Sequence, residues 1–485
     1  MLNTKPIRLI VSLLFGLAAW TLIIYKALMI PVTHDEVATM VHYYKFSIWE
    51  IMMYPDPWPN NHILNTLLAK ASISVFGQEQ WAGRLPNVLS FAAYLFAAYK
   101  INKTLFKYDN LLFLSGLALF IFNPFLLDFF SLCRGYGLSN ALLLCSAMFC
   151  LDAYLKRREA SIWLSFAFAI LASYANFTQL IYWCAINGMI FIYFFNNYLQ
   201  TRKIRPLLGK AAIIAGIDLA YLALIYTPIH KMQSTNQFVY WTANGFFQDT
   251  VVSLMDNTRY GSRMIDIPTE YFAVLAVMIC FAAGAFAMYY WGRHSWQKLI
   301  KTPVFTAFLL LAFTVFVNIM QTIILKTPNL TTRTALGFYP LFILLLCSMI
   351  FHLQKERLAL SRMIAGILLI FSIWHMARTV SFDRVREWWY DTNTFQVLNI
   401  IKSENPSKEQ IVLQTNWAFH PSFYFYSATG KTPWLTLGDY NKEIISETNA
   451  DYYYVFDSDY QTLEPRFKII QKFDGGSRLL LKRKE

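Results

Sequence analysis

The feature that most limits what this chain can fold into is a succession of long apolar runs, one after another from the amino terminus to about residue 380. Most are long enough, as helices, to cross roughly 30 Å of hydrocarbon. Backbone polar groups inside a bilayer find no water, so only structures that satisfy them internally can span it. A barrel would announce itself by alternation of apolar and polar residues; here the apolar residues run together. Of the 485 residues 56% are hydrophobic and 15% charged, where a soluble chain carries about 25% charged residues. The chain therefore reads as an all-α polytopic membrane protein.

The runs give about eleven spans: 7–30, 87–105, 111–127, one returning to Lys156-Arg157-Arg158, a pair within 162–198, 211–227, and four more between 269 and 380. The net charge of +13 is concentrated in alternate short loops. Lys5 and Arg8, then Lys100, Lys103 and Lys107, then Lys156 to Arg158, then Arg202, Lys203 and Arg205, then Arg293, Lys298 and Lys301, then Lys355 and Arg357 fall on one side. That asymmetry places them in the cytoplasm, with the chain in a bacterial inner membrane and its amino terminus inside. It also disposes of the nucleic-acid reading that the basic balance invites. The first run lacks a small-residue cleavage site and reads as a retained anchor. All six cysteines lie in or beside apolar runs, so no disulfide framework or zinc motif shows in the polar remainder.

From about residue 381 the composition turns polar. A helix is expected over 384–401 and strands over 410–414, 433–437, 452–456, 467–473 and 478–482, the last two joined by a turn at Asp474-Gly475-Gly476. The chain thus divides into a membrane domain, 1–380, and a small α/β domain, 381–485, which the span count puts outside the cytoplasm.

The long outer segment 31–84 carries the chemistry. Asp35 and Glu36 follow the first span directly, where a carboxylate can bind a cation or take a proton while a lipid-borne substrate keeps its tail in the bilayer. Taken alone, such a doublet is more often an ordinary solvated loop pair. Pro55, Pro57 and Pro59 break the segment, and 44–53 and 62–76 suit helices lying at the interface.

Asp35-Glu36 is followed by Trp58-Pro59-Asn60-Asn61-His62, by 67–76, by Arg84-Leu85-Pro86, and then by Asn123-Pro124-Phe125 and Arg134-Gly135-Tyr136. This ordered set resembles the polyprenyl-phosphate-sugar-dependent glycosyltransferases of the GT-C fold. In particular it looks like the branch holding protein O-mannosyltransferases and lipid A aminoarabinose transferases, glycosyltransferase family 39-like. The resemblance covers about the first third of the chain; beyond it only the architecture agrees. It implies transfer of a hexosyl or pentosyl group from a polyprenyl-phosphate donor to a lipid, glycan or protein acceptor, with inversion in one displacement. Such a step needs one carboxylate base and cations for the leaving phosphate.

On that footing Asp35 is the base and Glu36 its metal-binding, sugar-binding or supporting partner, or the reverse. Arg84, Arg134, His62, Asn61, Tyr136 and Arg333 are candidates for the donor's phosphate and sugar, since a guanidinium fork suits phosphate oxygens. Four of them have a plainer reading: Arg84 snorkelling to headgroups, Arg134 capping or paired with Asp128, His62 structural, and Arg333 with Tyr339 an interfacial anchor pair. His62 stands where some relatives carry a Lys-Pro-Pro motif, so their phosphate scheme does not transfer whole. The one cofactor to consider is a divalent metal ion, with Asp35, Glu36 and His62 as its ligand set. The loop 230–269, with Lys231, Tyr240, Trp241, Asp256 and Arg259, reads as a lid or acceptor site, and Trp388, Trp389 and Tyr390 as packing. A flippase would put charges in mid-membrane and show a repeat; a non-catalytic envelope assembly protein would tolerate Asp35→Asn.

Overall fold

A computed structural model describes residues 5–237, 244–260, 267–407, 409–444 and 449–484. Tyr240, Trp241 and the side chain of Lys5 lie outside the described set.

Each of the eleven expected spans corresponds to helix. Eight helices among the described residues are long and apolar enough to cross a bilayer, from Arg8–Met29 to Leu358–Thr379. Three expected spans differ from that pattern. Gln80–Leu105 is longer than the expected 87–105 and carries Arg84 and Asn87 in its first turns. Glu159–Ala175 has 17 residues. The third span, expected to be continuous over 111–127, is broken: Asn110–Ile121 and Pro124–Phe130 meet at 60°. Asn123 explains the break. Its side chain caps the second piece by accepting from the Leu126 amide at 3.2 Å, and Pro124 takes the first helical position, where a missing N–H costs nothing.

The spans differ widely in burial. Ile204–Ser234 and Thr269–Arg293 bury only 11% of their apolar windows, whereas Gly135–Lys156 buries 72% and forms the centre of the bundle. Basic loops gather at one end. Arg8 donates to the Lys107 carbonyl, Arg157 to Gln200 and Gln297, and Arg362 pairs with Asp109.

At the other end sits the α/β domain. Its strands are β1 (Ile411–Thr415), β2 (Leu435–Leu437), β3 (Tyr452–Phe456), β4 (Phe467–Phe473) and β5 (Arg478–Arg483), within a residue or two of expectation. The sheet order is β2-β1-β3-β5-β4; β1 runs parallel to β2 and β3, while β5 is antiparallel to β3 and β4. Gly475 and Gly476 take positive φ at the β4–β5 turn, a conformation glycine enters without strain.

The expected helix over 384–401 begins only at Thr394. The residues before it form a strap against the bundle. The Arg386 amide donates to Asp128 at 2.9 Å and the Arg384 carbonyl accepts from Lys26 at 3.0 Å. Backbone groups engaged this way cannot also serve a helix. One apolar core joins Val32, Val37, Met40, Ala69, Ile73 and Cys133 to the interior of the α/β domain, so the outer segment is shared property of both parts.

Candidate active site

The chain leaves the first helix at Met29 and turns at Thr33. Within that turn the two acids part company. Glu36 is fully buried. Its Oε1 accepts from Arg84 Nε at 2.8 Å and the Cys133 amide at 2.6 Å; its Oε2 accepts from Arg84 Nη2 at 2.7 Å and from the Thr33 amide and hydroxyl at 2.9 and 3.0 Å. Burial works to raise its pKa, but the Arg84 charge and these donors outweigh it and hold the carboxyl below its ordinary value.

Arg84 uses its remaining donors on the carbonyls of Ala27, Ile30 and Pro31, at 3.0, 2.8 and 2.9 Å. All five N–H groups therefore meet protein acceptors, and the guanidinium ties off the carboxyl end of the first helix. Arg84, expected at a lipid phosphate, is wholly buried in this structure with its fork on protein acceptors. Both oxygens of Glu36, expected as a metal or sugar contact, are likewise engaged by protein donors.

Asp35 is different. Its side chain is 11% accessible, and Oδ2 lies 3.2 Å from Arg333 Nη2 and 3.4 Å from Arg134 Nη2. Oδ1 has no hydrogen-bond partner among the described residues. Burial again pushes upward, and Arg134, Arg333 and His34 together overcome it, so the carboxyl sits below the usual aspartate value and is ionised at neutral pH.

The two arginines come from different elements. Arg134 precedes the central Gly135–Lys156 helix and is held by the carbonyls of Asp35 and Asn60 at 3.1 and 3.4 Å, while its Nε is buried without a partner. It does not pair with Asp128, which lies 2.5 Å from Lys26 and accepts from Tyr260 at 2.8 Å. Arg333 precedes the Phe338–Glu356 helix, donates to Glu387 at 2.6 Å, and lies 5.0 Å from the centre of the Trp388 ring. Tyr339, its expected partner at the interface, instead donates to the Leu119 carbonyl at 2.5 Å.

The remaining candidates pack beneath this cluster. Asn61 donates to the Ile51 carbonyl at 2.9 Å. His62 is buried, with Nε2 unpartnered and its ring edge-on to Tyr136 at 5.1 Å; burial, with Arg134 and Arg333 adding to it, lowers its pKa well below the usual histidine value. Tyr136 is buried between His62 and Phe129. Gly135 permits this packing: a Cβ there would stand 2.2 Å from the Ala175 carbonyl oxygen and 2.7 Å from His62 Cβ.

Around these acids Glu36 is engaged by Arg84 and two guanidiniums flank Asp35; among the described residues no three His, Cys, Asp or Glu side chains gather as a ligand group.

Sequence reading missed what the α/β domain contributes. Asp391 accepts from the His34 amide at 2.8 Å, and His34 Nδ1 lies 2.9 Å from the Ala418 carbonyl. Tyr426 donates to Gln80 at 3.0 Å and accepts from the Val32 amide at the same distance; Ser422 donates to the Val32 carbonyl at 2.7 Å. Asp391 is buried, and desolvation, aided by Asp35 and Glu36, raises its pKa well above the normal value. Its only signal in sequence is its place behind Trp388-Trp389-Tyr390.

Fold and site together define a polytopic membrane protein whose α/β domain closes over a carboxylate held between two arginines. No protein-family profile and no curated protein sequence matches the chain. Among solved structures it is similar to ArnT from Cupriavidus metallidurans in the apo state, at TM-score 0.47 and 11% identity, over 99% of this chain and 98% of that one. It is also similar to the same protein bound to undecaprenyl phosphate, at TM-score 0.45 and 11% identity with the same coverage.

Proposed function

We propose that this protein is a membrane glycosyltransferase that moves a hexosyl or pentosyl group from a polyprenyl-phosphate donor to a hydroxyl of a lipid, glycan or protein acceptor, with Asp35 as general base. The reaction lies on the outer face of the inner membrane, with the basic loops inside. The acceptor oxygen attacks the anomeric carbon as Asp35 takes its proton. The bond from that carbon to the phosphate oxygen breaks, and its electron pair leaves with the polyprenyl phosphate. One displacement inverts the anomeric centre.

The observation that carries the reading is the division of labour between the two acids. Glu36 is locked to Arg84 as a scaffold, while Asp35 keeps one oxygen open beside two guanidiniums. A base needs its lone pair free, and a leaving phosphate needs forked donors. Arg134, with an unpartnered Nε, and Arg333 supply these. When they turn to the donor phosphate, the field that depresses Asp35 weakens and its basicity rises. Donor binding thus prepares the base. His62 and Asn61 keep Arg134 and the Asn60 turn in place, and Tyr136 packs under them.

The test is release of polyprenyl phosphate from a panel of polyprenyl-phosphate sugars in proteoliposomes holding the full chain and a membrane extract as acceptor source. Turnover of at least one donor, absent with Asp35→Asn, is the expected result. Failure of every donor, or equal turnover by Asp35→Asn, contradicts the reading.

A further inference from the structure

Away from the Asp35 cluster, a cleft of about 440 Å³ lies between the end of the first helix, the start of Gln80–Leu105 and the underside of the α/β domain. That volume suits a small ligand or a headgroup. Its lining mixes apolar and charged groups. Leu28 is 49% exposed and continues the exposed apolar stripe of Leu17 and Ile24 along the first helix. Lys431 is matched by Glu79 at 2.6 Å, whereas Lys402 is exposed and has no carboxylate within ion-pairing distance among the described residues. Asn399 stands beside it, one helical turn back, with an exposed amide. Trp81 and Trp434 line the cleft, and such rings favour the level where hydrocarbon meets headgroups.

We infer that this cleft binds the phosphate-bearing headgroup of a membrane amphiphile, with the phosphate at Lys402 and Asn399 and the tail along the first helix. An unmatched cation at the lipid surface attracts an anionic headgroup, and the adjoining apolar stripe supplies the second half of an amphiphile's needs. The inference does not depend on the transfer reaction. It does place the ligand next to the machinery: Tyr426, which lines the cleft, bonds both Gln80 and the Val32 amide, three residues before Asp35.

The experiment is native mass spectrometry of the full chain in detergent, titrated with phosphatidylglycerol, with a polyprenyl phosphate, or with tail-less glycerol phosphate. The variants are Lys402→Glu, the double change Lys402→Ala with Asn399→Ala, and Lys468→Ala as an exposed control on β4. At least one lipid should remain bound in wild type and control and bind roughly tenfold more weakly in both Lys402 variants; which lipid does so identifies the source of the phosphate. Equal retention by the variants, or glycerol phosphate binding as tightly as the lipids, overturns the proposal.

Discussion

Asp35 and Glu36 are neighbours in sequence, yet only Asp35 keeps an oxygen free of protein donors among the described residues. Glu36 neutralises Arg84 in a buried fork; Asp35 faces two arginines, which on the proposed function the donor phosphate draws away. Asp35→Asn keeps the shape and removes the base, so transfer should fall by about 100- to 10,000-fold with donor binding retained. Glu36→Gln should act on folding instead, since removing one partner of a buried pair costs about 3–5 kcal/mol, read as loss of monodisperse protein and a lower Tm. The sign of the pH effect follows. Glu36 has a depressed pKa in the folded protein, so its contribution is present above the ordinary glutamate value near ~4.3 and is lost as pH falls through the folded pKa. The doublet was legible in the sequence because it follows an apolar span. The assignment of roles was not, because it depends on Arg84 folding back onto the first helix, and an Arg at a span mouth looks the same whether it meets a lipid or a glutamate.

At the scale of elements, the strap between the last span and the α/β domain assembles the site. It brings Glu387 and Trp388 to Arg333 and Asp391 to His34. The sequence predicted a helix here because its composition permits one; tertiary hydrogen bonds to Asp128 and Lys26 took precedence. The spans and strands were legible, since run length and β-branched or aromatic clusters are local signals. The 60° break was not, although Asn123-Pro124 was its cause. Asp391 carries a prediction of opposite sign to Glu36. Its raised pKa means the folded state holds a proton that the unfolded state releases, so this group's contribution is fully present below the ordinary aspartate value and declines as pH rises toward the folded one. Asp391→Asn should therefore leave Tm at neutral pH unchanged or higher and flatten its pH dependence, whereas Asp391→Ala should free the His34 amide and lower transfer. Gly135→Ala, whose Cβ meets the Ala175 carbonyl and His62, should lower Tm, as a scan in detergent will show.

For the whole molecule, the α/β domain and the outer segment share a core and a ring of hydrogen bonds through Val32, His34, Ser422 and Tyr426. On the proposed function the domain is thus part of the active structure. A chain ending at residue 380 should lose transfer from every donor even where the bundle inserts, and supplying 381–485 in trans should restore part of it; an accessory acceptor-binding domain would leave hydrolysis of the donor intact. The central claim, that a carboxylate held low by two arginines becomes the base when the donor phosphate engages them, is tested most directly by pH profiles of transfer. The acidic limb of kcat/KM, which reports the free enzyme, should fall below the ordinary aspartate range, and the limb of kcat should lie higher in pH, with both abolished in Asp35→Asn. Coincident limbs, or profiles that survive in Asp35→Asn, would contradict it.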